Sequence, residues 1–432
     1  MPHSPYSLSD EPVRVVLVLT VPPSERELED EREAEMRSLL KTANREVVAV
    51  ARQHLARPVG STYIGKGKVE DVRQLALSKQ AEEVVFDALL TPSQERNLEK
   101  ALEILVVDYA ALILHIFAQN ARTHQAMLAV ELAQLEHNRS RLKRLWTHLD
   151  RIKAGMNMRG PGEKQLETDR RLINDHIREL RRKLHVIEQR KERAVASRRD
   201  CFKVCLVGYT NAGKSSLLNA LTDAQVLAED KLFATLDTRT TRIELPTHHT
   251  VVMSDTVGFI RNLPPTLVAS FHATLAEVIE ADLLLHVVDT SLPNMEEQVR
   301  SVEEVLHQIG AEHIPSVMVF NKIDRSHSKT ILLAFKRRYP GSVAVSAHSG
   351  EGLEQLKQAI VTAAERGVHR VTVRYSVIDG RADAFVRRSC AILDEHYEGE
   401  EAVLSVEADA RLVGEMEANP ALTIDRAEPT GA

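Results

Sequence analysis

A strand, a glycine loop and a helix start follow one another between residues 202 and 221, and that succession constrains the fold more than any other feature. The mostly apolar run Phe202 to Val207 leads into Gly208-Tyr209-Thr210-Asn211-Ala212-Gly213-Lys214-Ser215, and the helix-forming Ser216 to Leu221 comes next. This is G-x-x-x-x-G-K-S in the context it needs to mean anything. Backbone N–H groups and a helix N-terminus then converge on phosphate oxygens. Lys214 adds a point charge, and the Ser215 hydroxyl can bind Mg²⁺. The loop alone implies an α/β fold holding a nucleoside triphosphate.

Four further segments specify which one. Asn321-Lys322-Ile323-Asp324 follows the apolar strand Ser316 to Phe320, at a strand's carboxyl end where open α/β sheets bind ligands. Guanine presents N1–H and an N2 amine side by side, and the Asp324 carboxylate accepts both. Adenine offers no such pair, and a buried polar group left unmatched is costly. Asn321 and Lys322 brace the loop and cover the base. Val343-Ala344-Val345 runs into Ser346-Ala347-His348, where the Ala347 N–H can meet the guanine O6. Asp255-Thr256-Val257-Gly258 follows the strand Thr250 to Met253. Asp255 is placed to hold Mg²⁺ through water, and the Gly258 N–H to sense a γ-phosphate. Upstream, Phe233-Ala234-Thr235-Leu236-Asp237 is the expected first switch, with Thr235 the second protein ligand to Mg²⁺. The expected catalytic set is therefore Lys214, Thr235, Gly258 and Asn211.

After Gly258 comes Phe259, where many phosphate-loop switches place a glutamine that orients the attacking water. Phe259 cannot do so. With Ile260 and Leu263 it either packs the second switch or docks a partner. The missing group is then supplied by a partner, or Asn211 helps hold a K⁺ ion near the β- and γ-phosphates.

At 432 residues the chain exceeds the roughly 250–300 residues a single core supports. Its net charge of −6 hides a block: Arg139 to Arg199 holds 19 Lys or Arg against 8 Asp or Glu, a local +11 that leaves −17 elsewhere. Such a block points to a polyanion, RNA or DNA before an acidic membrane. Arg141, Lys143 and Arg144 are candidate phosphate contacts. Three cysteines without a Cys-x-x-Cys pattern suit a reducing compartment and core packing. The N-terminus does not read as a signal peptide. The apolar stretch Ile104 to Ala118 is interrupted by Asp108 and His115 and is too short to span a bilayer. A cytoplasmic monomer is expected.

Four domains are expected. Residues 1–120 alternate strand-like and helix-like runs as a small α/β unit. Within it Tyr63-Ile64-Gly65-Lys66-Gly67-Lys68 opens a helix, either as a plain junction or as a second phosphate contact. Residues 121–199 read as a long antiparallel helical hairpin. Leu132, Leu135, Leu142, Trp146 and Leu149 form one narrow seam, and Ile173, Ile177, Leu180, Leu184 and Ile187 the other. The segment Ala154 to Lys164, with three glycines and a proline, is the tip. So narrow a seam predicts a projecting arm. Residues 200–365 are the nucleotide domain. Residues 366–432 are a small acidic α/β unit with a strand at Arg370 to Val377, a helix at Arg381 to Leu393, a strand at Ala402 to Val406 and a helix near Ala408 to Glu415.

With arm and nucleotide motifs in view, the whole chain resembles the HflX family of ribosome-associated GTPases. The resemblance is most specific at Arg159 to Arg171, at Leu232 to Asp237 and at Asp255 to Ile260, and Tyr63 to Lys68 also looks like that family's N-terminal domain. It implies that Phe259 belongs to the family pattern. It further implies GTP hydrolysis stimulated by the ribosome, binding to the large ribosomal subunit with the arm near the peptidyl transferase centre, and splitting or rescue of stalled ribosomes under stress. Two other functions fit the same sequence: a large-subunit assembly factor whose GTP times release, and a nucleotide-switched RNA-remodelling protein.

Overall fold

The apolar runs of the first 110 residues lie side by side. β1 (Val13–Val21), β2 (Arg45–His54), β3 (Glu83–Phe86) and β4 (Leu105–Val107) form a sheet of order β2-β1-β3-β4, with every pair parallel. Parallel neighbours need crossovers, here α1 (Glu29–Thr42), α2 (Lys66–Lys79) and α3 (Pro92–Leu102). This computed structural model describes residues 11–153, 161–196, 201–222, 233, 239–244, 250–261, 272–292, 294–325, 329–366 and 368–426. The tip 154–160, Ala234 to Asp237 and Leu263 lie outside the described residues, as do the side chains of Leu142 to Asp169.

Local chemistry sets the element ends. Thr91 caps α3 in a reciprocal box with Gln94, and Pro92 occupies the first turn. At Tyr63 the backbone turns left-handed (φ 63°), and Gly65 then caps α2 while its amide donates to Gln53 Oε1 at 3.3 Å. The segment is thus a loop-to-helix junction. The apolar run from Ile104 divides at Asp108, whose carboxylate accepts from the Ala111 amide at 2.8 Å and starts α4 (Tyr109–Asn120). That helix is an addition to the sequence reading, which took the start of the run as a strand and assigned no helix after it.

α5 (His124–Lys153) and α6 (Pro161–Ala196) are the two long helices. Arg139 Nη1 meets Asn174 Oδ1 at 3.5 Å, two positions about equally far from the tip, as in an antiparallel pair. Their base differs from the expected free arm. Ala126, Leu128, Ala129, Val130, Leu132 and Ala133 are all buried and join Ile177, Leu180 and Leu184 in one cluster with Phe117 and Leu39. That face is too wide for a coiled-coil seam alone, so the root of the hairpin is core and only its outer part can project.

Arg141 is also spent internally. Its guanidinium pairs with Glu95 at 2.5 Å and with buried Asp108 at 2.9 Å, so it is not an outward phosphate contact. Arg141→Glu should therefore destabilise the fold by about 3–5 kcal/mol, the cost of stranding a buried carboxylate, measurable by urea unfolding. A variant of unchanged stability with weakened RNA affinity would contradict this.

The second sheet has the order β10-β9-β8-β5-β7-β6. It comprises β5 (Phe202–Gly208), β6 (Arg239–Glu244), β7 (Thr250–Asp255), β8 (Leu283–Asp289), β9 (Ser316–Asn321) and β10 (Val343–Ala344). All pairs are parallel except the β6 edge. The central strands are buried on both faces, as a doubly covered parallel sheet requires.

The third sheet, β12-β13-β11-β14, is antiparallel. It is built from β11 (Val368–Ser376), β12 (Ala391–Glu398), β13 (Glu401–Asp409) and β14 (Thr423–Arg426), with helices Gly380–Ser389 and Ala410–Glu417. The first of these helices ends before Leu393, correcting the expected helix Arg381 to Leu393. Ala391 onward is a strand because Glu398 pairs with Glu401 across a two-residue turn, with Gly399 at φ 64°.

Candidate nucleotide-binding site

α7 (Lys214–Thr222) starts where β5 ends, with the glycine loop between them. Two of its glycines are required by space. At Gly208 (φ 154°) a Cβ would lie 2.3 Å from the Val287 carbonyl oxygen, and at Gly213 (φ 89°) it would lie 2.4 Å from Asn321 Nδ2. Lys214 is buried at 6% exposure and donates to the carbonyls of Gly208 at 3.1 Å and Tyr209 at 3.0 Å. Burial pulls its ammonium down to about 8. Such a cation is costly without a nearby negative charge, which a phosphate supplies.

The segments expected to read guanine meet this loop. Asn321 donates from Nδ2 to the Ala212 carbonyl at 2.9 Å and accepts from the Ala347 amide at 3.1 Å. One side chain thus joins phosphate loop, β9 and the Ser346-Ala347-His348 turn. Lys322 adopts φ 62° and donates to the Asn211 carbonyl at 2.8 Å and to Asp289 Oδ2 at 2.7 Å. Asp324 accepts from Ser346 Oγ at 2.7 Å, the main reason its carboxyl stays below the usual range and remains ionised. Ile323 is held through its amide on Val345, and His348 is exposed. Asn211 turns left-handed at φ 60°.

The phosphate side is as well defined. Ser215 Oγ donates to Asp255 Oδ2 at 2.5 Å, and Asp255 is fully buried at the end of β7. Thr256 Oγ1 donates to the Leu206 carbonyl at 2.6 Å, fixing the turn that carries Val257 and Gly258. Phe259 is 1% exposed and packs on Cys205, Val207, Leu275 and Val278. Its amide and carbonyl bridge the phosphate loop at Gly208 (3.0 Å) and Thr210 (2.8 Å). Of the two readings open for Phe259, packing describes its position. Of the first-switch positions only Phe233 is described; Ala234, Thr235, Leu236 and Asp237 fall outside.

Sequence reasoning missed a set of residues that reach this site from the N-terminal layer. The Tyr209 hydroxyl donates to Glu35 of α1, accepts from the Arg261 amide at 3.0 Å, and so faces away from the phosphate loop. Burial holds the Glu35 carboxyl above its usual range, opposed by Arg261, whose Nε lies 3.7 Å from it. Tyr109 of α4 donates to the Arg261 carbonyl at 3.1 Å, and Asn120 to the Phe233 carbonyl at 3.0 Å. Phe117 meets Phe233 edge-to-face at 4.7 Å. Asp289, which aims Lys322, was also missed. Partners 33 to 174 residues apart leave no local pattern to read.

A glycine loop on a parallel sheet, a hydroxyl–carboxylate pair beside it and the Asn-Lys-Ile-Asp carboxylate held next to the loop define a P-loop GTPase. Comparison with known proteins agrees along the chain. Residues 30–118 match the GTP-binding GTPase N-terminal family, 120–198 its middle region, and 203–322 the 50S ribosome-binding GTPase family. The GTPase HflX of Magnetococcus marinus is 44% identical over 89% of this chain and 89% of its own length. That of Escherichia coli is 42% identical over 87% and 88%. A GTP-binding protein of Sulfolobus solfataricus, solved with GDP, superposes loosely: 24% identity, 81% of this chain, 99% of that one, TM-score 0.41. The chain belongs to the HflX family of GTPases. Among the described residues no helix is long and apolar enough to cross a membrane.

Proposed function

We propose that this GTPase is Mg²⁺-dependent, docks its basic hairpin into the large ribosomal subunit in the GTP state, and separates stalled ribosomes there. One observation carries the reading: described residues of both switches, Phe233 and Arg261, touch α4, and α4 leads within four residues into the hairpin helix α5. A change at the terminal phosphate therefore bears directly on the root of the arm. The matched 50S ribosome-binding family supplies the target.

In this reading the 208–215 amides and Lys214 neutralise phosphate charge, Gly258 senses the γ-phosphate, and Asp324 selects guanine with Ala347 at O6. The donor set suits Mg²⁺, a hard cation taking oxygen ligands: Ser215 Oγ and Asp255 Oδ2 are already together at 2.5 Å. Ser215 and Thr235 would hold the ion directly and Asp255 through water, and the ion when bound supplies charge neutralisation at the β- and γ-oxygens. Asn211, at the loop's outer turn, is the candidate K⁺ contact. Positioning and electrostatics then account for most of the rate.

The test is sedimentation of mature, stalled ribosomes with the protein and a non-hydrolysable GTP analogue. Separated subunits are expected, fewer as salt rises because phosphate contacts release counterions. Particles that stay intact would reject splitting. Turnover measured in parallel should rise with isolated large subunits, and should be faster in potassium than in sodium. Equal rates in the two salts would remove the Asn211 role.

A further inference from the structure

Phe259 leaves the water-orienting position without a polar side chain, and a different hydroxyl stands beside it. Thr210, the third residue of the phosphate loop, is 6% exposed. Its Oγ1 is buried without a hydrogen-bond partner among the described residues. Buried hydroxyls are normally paired, and one that is not calls for a reason. Its surroundings suggest one. A Cβ on Gly258 would lie 2.8 Å from Thr210 Cα, 2.9 Å from Thr210 Cγ2 and 3.1 Å from Lys214 Nζ. The threonine side chain, with its Cγ2 methyl foremost, the γ-phosphate-sensing glycine and the loop lysine are thus close neighbours, packed so that position 258 admits no side chain. A rotation of about 120° around the Cα–Cβ bond carries Oγ1 to the position of Cγ2, so the hydroxyl can face Gly258 without moving the backbone. The backbone is pinned, since the Thr210 amide donates to the Phe259 carbonyl at 2.8 Å.

The geometry points to Thr210 as a catalytic residue of GTP hydrolysis: its hydroxyl accepts a hydrogen bond from the attacking water and holds it in line with the γ-phosphorus. The water oxygen bonds to that phosphorus as the bond to the β–γ bridging oxygen breaks. The electron pair leaves with GDP, and the water's protons end on inorganic phosphate and solvent. Thr210 keeps its own proton throughout. The assignment rests on the reading of residues 208–215 as the phosphate loop.

Thr210→Val keeps the shape and removes only the hydroxyl; Thr210→Ser keeps the hydroxyl. Four quantities are measured on the full chain: single-turnover rate with saturating GTP and Mg²⁺, affinity for GDP, affinity for GDP with aluminium fluoride, and the unfolding midpoint without nucleotide. For the valine variant the rate should fall on the order of 100-fold, with affinity for the fluoride complex falling in parallel. GDP affinity should stay within about threefold, and the midpoint should hold or rise, because an unpaired buried hydroxyl has gone. The serine variant should recover most of the rate. A valine variant that turns over within about threefold of the parent, or loses GDP affinity as fast as rate, or unfolds at a lower temperature, would overturn the assignment. A parent chain that does not bind GDP would instead overturn the phosphate-loop reading beneath it.

Discussion

Asp324→Asn should transfer the protein's preference from guanosine to xanthosine triphosphate. The carboxylate accepts two donors, the guanine N1–H and N2 amine, whereas an amide offers one acceptor and one donor. Xanthine carries a carbonyl at C2 beside its N1–H and matches the amide. A site built for one hydrogen-bond pattern rejects the mismatched partner by roughly 10⁴-fold, so GTP affinity should fall by about that factor while xanthosine triphosphate gains. Folding should be untouched, since Asp324 is partly exposed at 26% and Ser346 can still donate to the amide oxygen. Titration with both nucleotides decides the matter. Equal loss of both would mean that the carboxylate shapes the loop and reads no base.

A second large effect is expected from Gly208→Ala. The backbone there sits at φ 154°, and the added methyl would meet the Val287 carbonyl oxygen at 2.3 Å. That oxygen belongs to β8 in the middle of the sheet, so it cannot give way. Strain and overpacking together should cost about 3 kcal/mol or more and pull β5 from β8, with nucleotide binding lost and the unfolding midpoint lowered. Gly341 provides the contrast: at φ 82° with open space around it, alanine there costs only backbone strain of about 1 kcal/mol. Comparable midpoints for the two variants would show that the Gly208 contact is soft.

The strands were readable where apolar runs were bounded by turn residues, and the site where short motifs each followed such a strand. The structure brings the phosphate loop, Asp255 and Asp324 together, three segments legible in the sequence because each pairs a residue type with a fixed spacing. Three features escaped for physical reasons. α4 was hidden because Ile104 to Phe117 is apolar almost throughout, and periodicity says little about an element buried on nearly every side; only the Asp108 cap marks the change. β12 was absorbed into the preceding helix because it lies at a sheet edge, with Leu393 exposed, and lacks the alternation of a half-buried strand. Arg141 read as a basic surface residue because its partners, Glu95 and Asp108, lie 46 and 33 positions away. The junction of Glu35, Tyr209 and Arg261 is the same problem at greater distance.

The firm rooting of the hairpin has a mechanical corollary. At 30 residues, α5 is about 45 Å long, and its first turns are embedded in the layer that holds Phe233 and Arg261. A rod held at its root amplifies rotation: the part of α5 beyond Arg141 extends about 18 Å, so a tilt of about 5° at the root displaces its far end by roughly 1.6 Å. In the proposed cycle, a rearrangement around a single phosphate group that tilts this root would be read out as a larger displacement at the outer end of the helix.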